Sequence, residues 1–410
     1  MELRAGYKNT EIGIVPADWK VKNLGETSKL KARIGWQGLT TSEYLTTGEY
    51  HLVTGTDFKN GRVKWTTCHF VEKVRYTQDR NIQLQNEDIL ITKDGTIGKV
   101  AFVDKMNIPA TLNSGVFVIR PIRNNYNQFF VYYIFNSKYF SKFLSELVAG
   151  STINHLYQKD FISFNFPLPP LPEQITIARV LSDTDNLLQT LQKKIAKKRL
   201  IKQGAMQELL KPKEDWVINT LGEIANFRRG SFPQPYGLDQ WYDENNGMPF
   251  VQVFDVDKNM KLKPTTKQKI SDLAKDKSVF VKKGNIILTI QGSIGRIAVT
   301  QYDSYVDRTL LIFTEYKIPM DIVFFSFIVQ EKFRIEKENA PGGIIKTITK
   351  EALSKFKMVF PKSKEEQNKI ATILSDMDTE IESLEKQLAK YKQVKQGLMQ
   401  NLLTGKIRLV

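Results

Sequence analysis

Cysteine is almost absent from this 410-residue chain: Cys68 stands alone, which excludes an internal disulfide framework and any multi-cysteine zinc or iron–sulfur site. Histidine is nearly as scarce. His51, His69 and His155 are too few for a histidine-rich metal centre, and the neighbours Cys68 and His69 are poorly placed to chelate one ion. The longest apolar runs, residues 129–135 and 322–329, fall far short of the ~20 residues of a membrane-spanning helix. The amino terminus lacks a basic-then-apolar signal pattern, so the expected location is the cytoplasm.

Catalytic signatures are missing as well. The chain has no G-x-x-x-x-G-K-[ST] phosphate loop, no G-x-G-x-x-G dinucleotide turn and no G-x-S-x-G nucleophile elbow. An amino-methyltransferase would need a glycine-rich cofactor loop and an Asn/Asp-Pro-Pro-aromatic tetrapeptide, and neither occurs. Glu315-Tyr316-Lys317, with Asp303 upstream, loosely resembles a metal-dependent nuclease core, but the first half of the chain has nothing matching it. No catalytic, cofactor-binding or metal-binding residue is expected.

What is present is repetition and positive charge. The net charge of +16 points to a polyanionic partner, nucleic acid before an anionic membrane surface. Residues 173–210 recur as 366–403, and both copies carry the alternating 4-3 apolar spacing of a heptad seam. In the first copy the seam runs through Ile177, Leu181, Leu188, Leu191 and Ile195; in the second, through Ile370, Leu374, Ile381, Leu384 and Leu388. Neither copy contains proline, and each helix should span roughly 57 Å.

An apolar stripe of that length needs a partner, and the other copy is the natural one. Each copy is acidic early (Glu173, Asp183, Asp185; Glu366, Asp376, Asp378) and basic late (Lys193, Lys197, Lys198, Lys202; Lys386, Lys390, Lys395), which favours antiparallel pairing. Exposed ion pairs contribute only ~0.2–1 kcal/mol each, so charge selects the orientation and the apolar seam supplies the stability. Lys198, Lys202, Tyr391 and Lys395 interrupt the seam near the carboxyl ends, where contacts to the domains or to a partner are expected.

The duplication reaches beyond the helices. The segment DWKVKNLGE at 18–26 recurs at 215–223, and NEDILITKDGTIGKVAFV at 86–103 recurs at 283–300; the second copy is then expected to lose four residues between about 300 and 322. Each unit should contain buried strands at 88–92 and 285–290 ending in DGTIG and QGSIG turns. Amphipathic helices over 127–148 and 320–338 and glycine breaks at Gly150 and Gly342-Gly343 should follow. A proline-rich connector, PLPPLP at 167–172, precedes the first long helix, whereas only Pro361 remains at the second. The expected fold is α+β: two tandem α/β domains, 1–170 and 213–362, with long helices at 171–212 and 363–410 forming an antiparallel coiled-coil spacer under a pseudo-twofold internal repeat.

Candidate DNA contacts lie where basic and amide side chains interleave with aromatics or sit between the shared landmarks. They are Gln37, Lys59, Asn60, Arg62, Lys64 and Lys93 in the first unit, and Arg228, Arg229, Gln234, Gln252, Lys258 and Gln291 in the second. Arginine and lysine suit guanine edges and phosphates, and asparagine and glutamine suit adenine. The units agree at structural landmarks and differ between them, as two copies of one scaffold reading different short sequences would. That pattern implies an asymmetric, bipartite target.

The tandem repeat, EIGIVPADWKVKNLGE at 11–26, DILITKDGTIGKV, LPPLPEQ before the first long helix and the KQGAMQELL and KQGLMQNLL endings resemble the specificity subunit of type I restriction–modification systems. The resemblance implies two target-recognition domains held by a helical spacer that also docks partners. It further implies binding to double-stranded DNA, two methyltransferase subunits that carry S-adenosylmethionine, and restriction subunits able to join. A protein-binding helical scaffold without specific DNA recognition is the alternative.

Overall fold

The computed structural model describes residues 5–149, 155–339 and 348–409; the expected breaks at Gly150 and Gly342-Gly343 lie outside the described residues. The chain divides into two compact units, Met1–Gln192 with Gln387–Val410, and Lys193–Lys386.

In the first unit, Ser28–Ala32, Val116–Pro121, Ile89–Thr92 and Val100–Phe102 lie side by side in one antiparallel set. Beside it, His51–Val53 is held between a parallel neighbour, Ala110–Leu112, and an antiparallel one, His69–Phe70. The second unit repeats this plan. Ala225–Arg229, Leu310–Tyr316, Ile286–Thr289 and Ile297–Val299 form the first sheet. Met248–Val251 sits between parallel Ser304–Val306 and antiparallel Gln268–Ile270. The strands Ile89–Thr92 and Ile286–Thr289 are buried along their whole length, as continuous apolar runs require.

Each of these strands ends in a turn closed by its own threonine. The Thr92 hydroxyl donates to the Thr96 carbonyl and accepts from the Lys99 N–H at 2.9 Å; Thr289 does the same with Ser293 and Arg296. Gly98 and Gly295 take φ of +80° and +79°, and a Cβ on either would strike Leu144 or Phe333. The shared glycines therefore serve tight turns against the helical layer.

The expected helix over 127–148 is two helices, Gln128–Phe135 and Lys138–Ala149. Asn136 ends the first by donating its side-chain amide to the Tyr132 carbonyl, and the Ser137 hydroxyl accepts from the Tyr139 N–H to begin the second. In the other unit Ile322–Asn339 runs as one helix, with Gln330 and Glu331 continuing it through the matching turn. The four-residue loss is also distributed differently. Matched strands place Leu112 against Val306, 194 positions on, so three residues are gone by residue 304, and the fourth falls after the start of the helix.

The long helices are Leu171–Leu209 and Lys364–Leu402, 39 residues each. Their ends are integral to the domain cores. In the first unit Ile177 and Leu181 pack into one cluster with Phe130, Phe166, Leu402 and Leu403. In the second unit Ile370 and Leu374 join Phe324 and Phe360, with Met206 and Leu209 against them. Leu188, Leu191, Ile195, Ile381 and Leu384 are buried and Leu388 is half-buried. Inside the second unit, Lys198 pairs with Glu380 at 2.7 Å and Lys202 with Asp378 at 2.5 Å, so one helix runs up as the other runs down. The first unit contains the repeat-related pair Asp185–Lys395 at 2.5 Å.

A matched pair of glutamines sets each helix on its domain. Buried Gln174 accepts from the Asn127 N–H at 2.9 Å and donates to the Pro169 carbonyl at 2.8 Å. Gln367 accepts from the Asp321 N–H and donates to the Pro361 carbonyl, both at 2.9 Å. The joint is thus the same in both units although the second keeps a single proline. Glu173, 2% exposed, adds a further tie in the first unit: it accepts from Trp19 Nε1 at 3.0 Å and from the Arg408 guanidinium, which also binds Asp18. That guanidinium holds the Asp18 carboxyl below its ordinary value.

Leu181→Ala and Leu374→Ala are each expected to destabilise the protein by about 2–5 kcal/mol, the cost of a cavity at a fully buried leucine; chemical denaturation checks this. Gln174→Ala should cost about 1–3 kcal/mol by leaving a backbone N–H and a carbonyl without their partner.

Candidate nucleic-acid interface

The loops that differ between the units spring from one conserved piece of geometry. Where Leu112 pairs with Val53, the next N–H, of Asn113, donates to the Val53 carbonyl at 3.0 Å. Where Val306 pairs with Val251, the Asp307 N–H donates to the Val251 carbonyl, also at 3.0 Å. Immediately after these strands the chain turns through matching capping boxes, Thr54 with Asp57 and Gln252 with Asp255. Desolvation raises the pKa of the buried Asp255 carboxyl against the lowering effect of its hydrogen bonds to the Gln252 and Lys267 N–H groups.

On this shared frame the side chains differ. In the first unit the Asn113 side-chain amide donates to the Tyr44 hydroxyl, and Asn113 Oδ1 accepts from Ser114. In the second, Gln252 Nε2 donates to the Tyr236 hydroxyl at 2.7 Å, and the Arg308 guanidinium lies 5.4 Å from the Tyr236 ring centre. Burial, followed by the charge of Asp307, pushes the Tyr236 hydroxyl up to about 12, so it stays neutral. Tyr236, Asp239, Glu244, Gln252, Phe254, Lys267 and Lys269 are among the residues lining one cleft of about 450 Å³.

The sequence candidates fall into distinct environments. Lys59 and Lys64 are exposed in the first unit, and Arg228, Arg229, Gln234 and Lys258 are exposed in the second. Lys93 and Gln291 are half-buried, with the Lys93 ammonium 5.4 Å from the Phe117 ring centre. Gln37 is buried and its Oε1 has no hydrogen-bond partner among the described residues. Asn60, with φ of +51°, forms with Gly61 the turn of the hairpin Phe58–Lys59 and Arg62–Val63, which is a backbone role.

Arg62 is not free to read a base. Its guanidinium pairs with Asp104 at 3.1 Å and lies 5.0–5.5 Å from the ring centres of Phe102, Phe129 and Tyr132. The alternation of arginine and aromatics that suggested a DNA contact here builds a packed cation–π cluster. Tyr44, Asn113, Tyr236, Phe254, Lys267 and Arg308 were not singled out by sequence. Aligning residues 110–116 with 304–310 would have exposed Asn113 and Arg308, but only the strand register fixes that alignment.

The nuclease-like triplet is dispersed into structural roles. Glu315 accepts from the Asn226 amide, Lys317 donates to the Gly222 carbonyl, and Asp303 accepts from the Lys283 N–H. Among the described residues no group of three His, Cys, Asp or Glu side chains could hold a metal ion, and no helix is long and apolar enough to cross a membrane.

Residues 16–198 and 213–393 each match the family described as the type I restriction modification DNA specificity domain. The chain belongs to that family. It is similar to the type I restriction enzyme MjaVIII specificity subunit of Methanocaldococcus jannaschii, at 26% identity over 96% of this chain and 94% of the relative. It is also similar to the Escherichia coli EcoBI specificity subunit, at 27% identity over 78% and 74% of the two chains. Its fold matches a crystal structure of the type I restriction–modification system S subunit from M. genitalium, with a TM-score of 0.58, 17% identity and 98% of each chain covered.

Family membership makes the chain a specificity subunit with DNA-recognition domains, a recognition component and not an enzyme, acting within restriction–modification complexes. The match decides against the scaffold that binds protein alone.

Arg228→Ala and Arg229→Ala are expected to weaken duplex binding about equally for all sequences, and each should reduce the slope of log affinity against log salt by about 1. Titrations at several salt concentrations read both effects.

Proposed function

We propose that this chain reads a two-part, asymmetric DNA site, one part with each unit, and positions two adenine methyltransferase subunits on it. The observation that carries the reading is the shared strand–turn frame bearing Thr54, Asn113 and Ser114 in one unit and Gln252, Asp307 and Arg308 in the other. Equal frames with unequal hydrogen-bonding groups suit two different half-sites. Phosphate contacts by exposed lysines and arginines supply most of the affinity, and loop side chains supply discrimination of ~1–3 kcal/mol per base pair.

S-adenosylmethionine belongs, in this reading, to the methyltransferase subunits, and restriction subunits join the same complex. Because most of the expected docking residues along the seam are buried, the proposed methyltransferase contact moves to exposed apolar positions on the long helices. Leu200 and Ile373 in the second unit and Val394 in the first are 68%, 43% and 42% exposed.

Methylome sequencing of a host carrying this chain with its methyltransferase should return a bipartite, non-palindromic adenine-methylated motif. A contiguous palindrome, or no motif, would count against the reading.

A further inference from the structure

Gln252 and Arg308 are brought together on Tyr236 inside the second unit. Tyr236 stands on an aromatic base: the Phe232 ring lies 5.1 Å from it and 4.6 Å from Phe250, which is fully buried. The hydrogen bond from Gln252 Nε2 to the Tyr236 hydroxyl holds the glutamine amide in one orientation. Gln252 Oε1 is buried, so the glutamine braces Tyr236 and does not itself face a partner. Arg308 is exposed, has no ion pair among the described residues, and rests on the Tyr236 ring. Stacking leaves the edge of a guanidinium, with its forked N–H donors, available.

Such a cluster has more readily the character of a base reader than of a phosphate clamp. A phosphate contact needs only a mobile cation, whereas here a planar donor fork rests on the ring of a tyrosine that is itself held by a hydrogen bond. A guanine presents two acceptors, O6 and N7, that match the fork. Lys267 and Lys269 line the same cleft together with Asp239 and Glu244, so the net positive charge at the cluster is that of Arg308.

We propose that Arg308 is the base-reading side chain of the second unit: it reads a guanine, oriented by the Tyr236 ring, which Gln252 in turn holds in place. The proposal rests on the DNA-reading function above and deepens it by assigning specificity to a named side chain. In the first unit the matching positions, Thr54 and Ser114, carry hydroxyls, so the two units read different bases through one frame.

The test uses the full chain in complex with its methyltransferase and a set of duplexes that carry single base-pair substitutions across the recognised motif. The wild-type complex should discriminate at a G·C pair in one half-site. Arg308→Ala should reduce preference at that pair by about 10- to 100-fold and leave the other half-site read as before. Arg308→Lys keeps the charge without the fork and should lose the same preference while retaining the salt dependence. Gln252→Leu, which releases the Tyr236 hydroxyl, should weaken the same preference without removing it.

Equal weakening on every duplex would make Arg308 a phosphate contact and overturn the proposal, as would unchanged discrimination in both Arg308 variants. A thermal melt of each complex separates these results from misfolding, and Arg308→Lys, at an exposed position, serves if Arg308→Ala does not fold. Failure of the wild-type complex to prefer any bipartite duplex would instead overturn the function proposed above.

Discussion

A 39-residue amphipathic helix cannot hide its apolar stripe by itself, and the rest of this protein follows from how that stripe is buried. Each unit encloses the first turns of one long helix and the last turns of the other. Ile177 and Leu181 share a core with Leu402 and Leu403; Ile370 and Leu374 share theirs with Leu209. The hydrophobic contribution is large because the ends are domain core as well as seam. The ion pairs act on direction: Lys198–Glu380, Lys202–Asp378 and Asp185–Lys395 are satisfied only when the helices run oppositely.

The lysines that interrupt the seam belong to the same logic. Lys202 reaches Asp378 and stands 5.2 Å from the Phe327 ring centre; Lys395 reaches Asp185 and stands 5.8 Å from that of Tyr133. Each cation bridges the opposite helix and its own unit's helical layer. Gln174 and Gln367 then fix the start of each helix against backbone that would otherwise be buried without partners. A recognition protein needs this rigidity, since a loop that reads a base must be held by elements that do not yield.

Variation is confined to positions where it does not disturb this frame. A capping box tolerates Thr54 or Gln252 as long as the aspartate three residues on accepts from the turn's N–H. The residue after the parallel strand pair can be Asn113 or Asp307 because the hydrogen bond common to both units is made by its N–H. Different recognition chemistry can therefore be mounted without altering the fold, which is the physical meaning of equal landmarks with unequal loops.

The duplication, the two long helices, their antiparallel pairing and the family were legible in the amino-acid sequence, because heptad spacing, charge polarity and repeated motifs are properties of residue order. So were the buried strands ahead of DGTIG and QGSIG, which are uninterrupted apolar runs. The proposed reading residue was not. Arg62 and Arg308 look alike in sequence, yet one is enclosed by Asp104 and three aromatic rings and the other is exposed on Tyr236. The break at Asn136-Ser137 and the role of the two glutamines were hidden for the same reason. Sequence order determined which helices and strands form and which helix faces are apolar; tertiary structure alone decided which polar side chains have their hydrogen-bonding capacity consumed by neighbours and which keep it for a partner, because those neighbours come from distant parts of the chain.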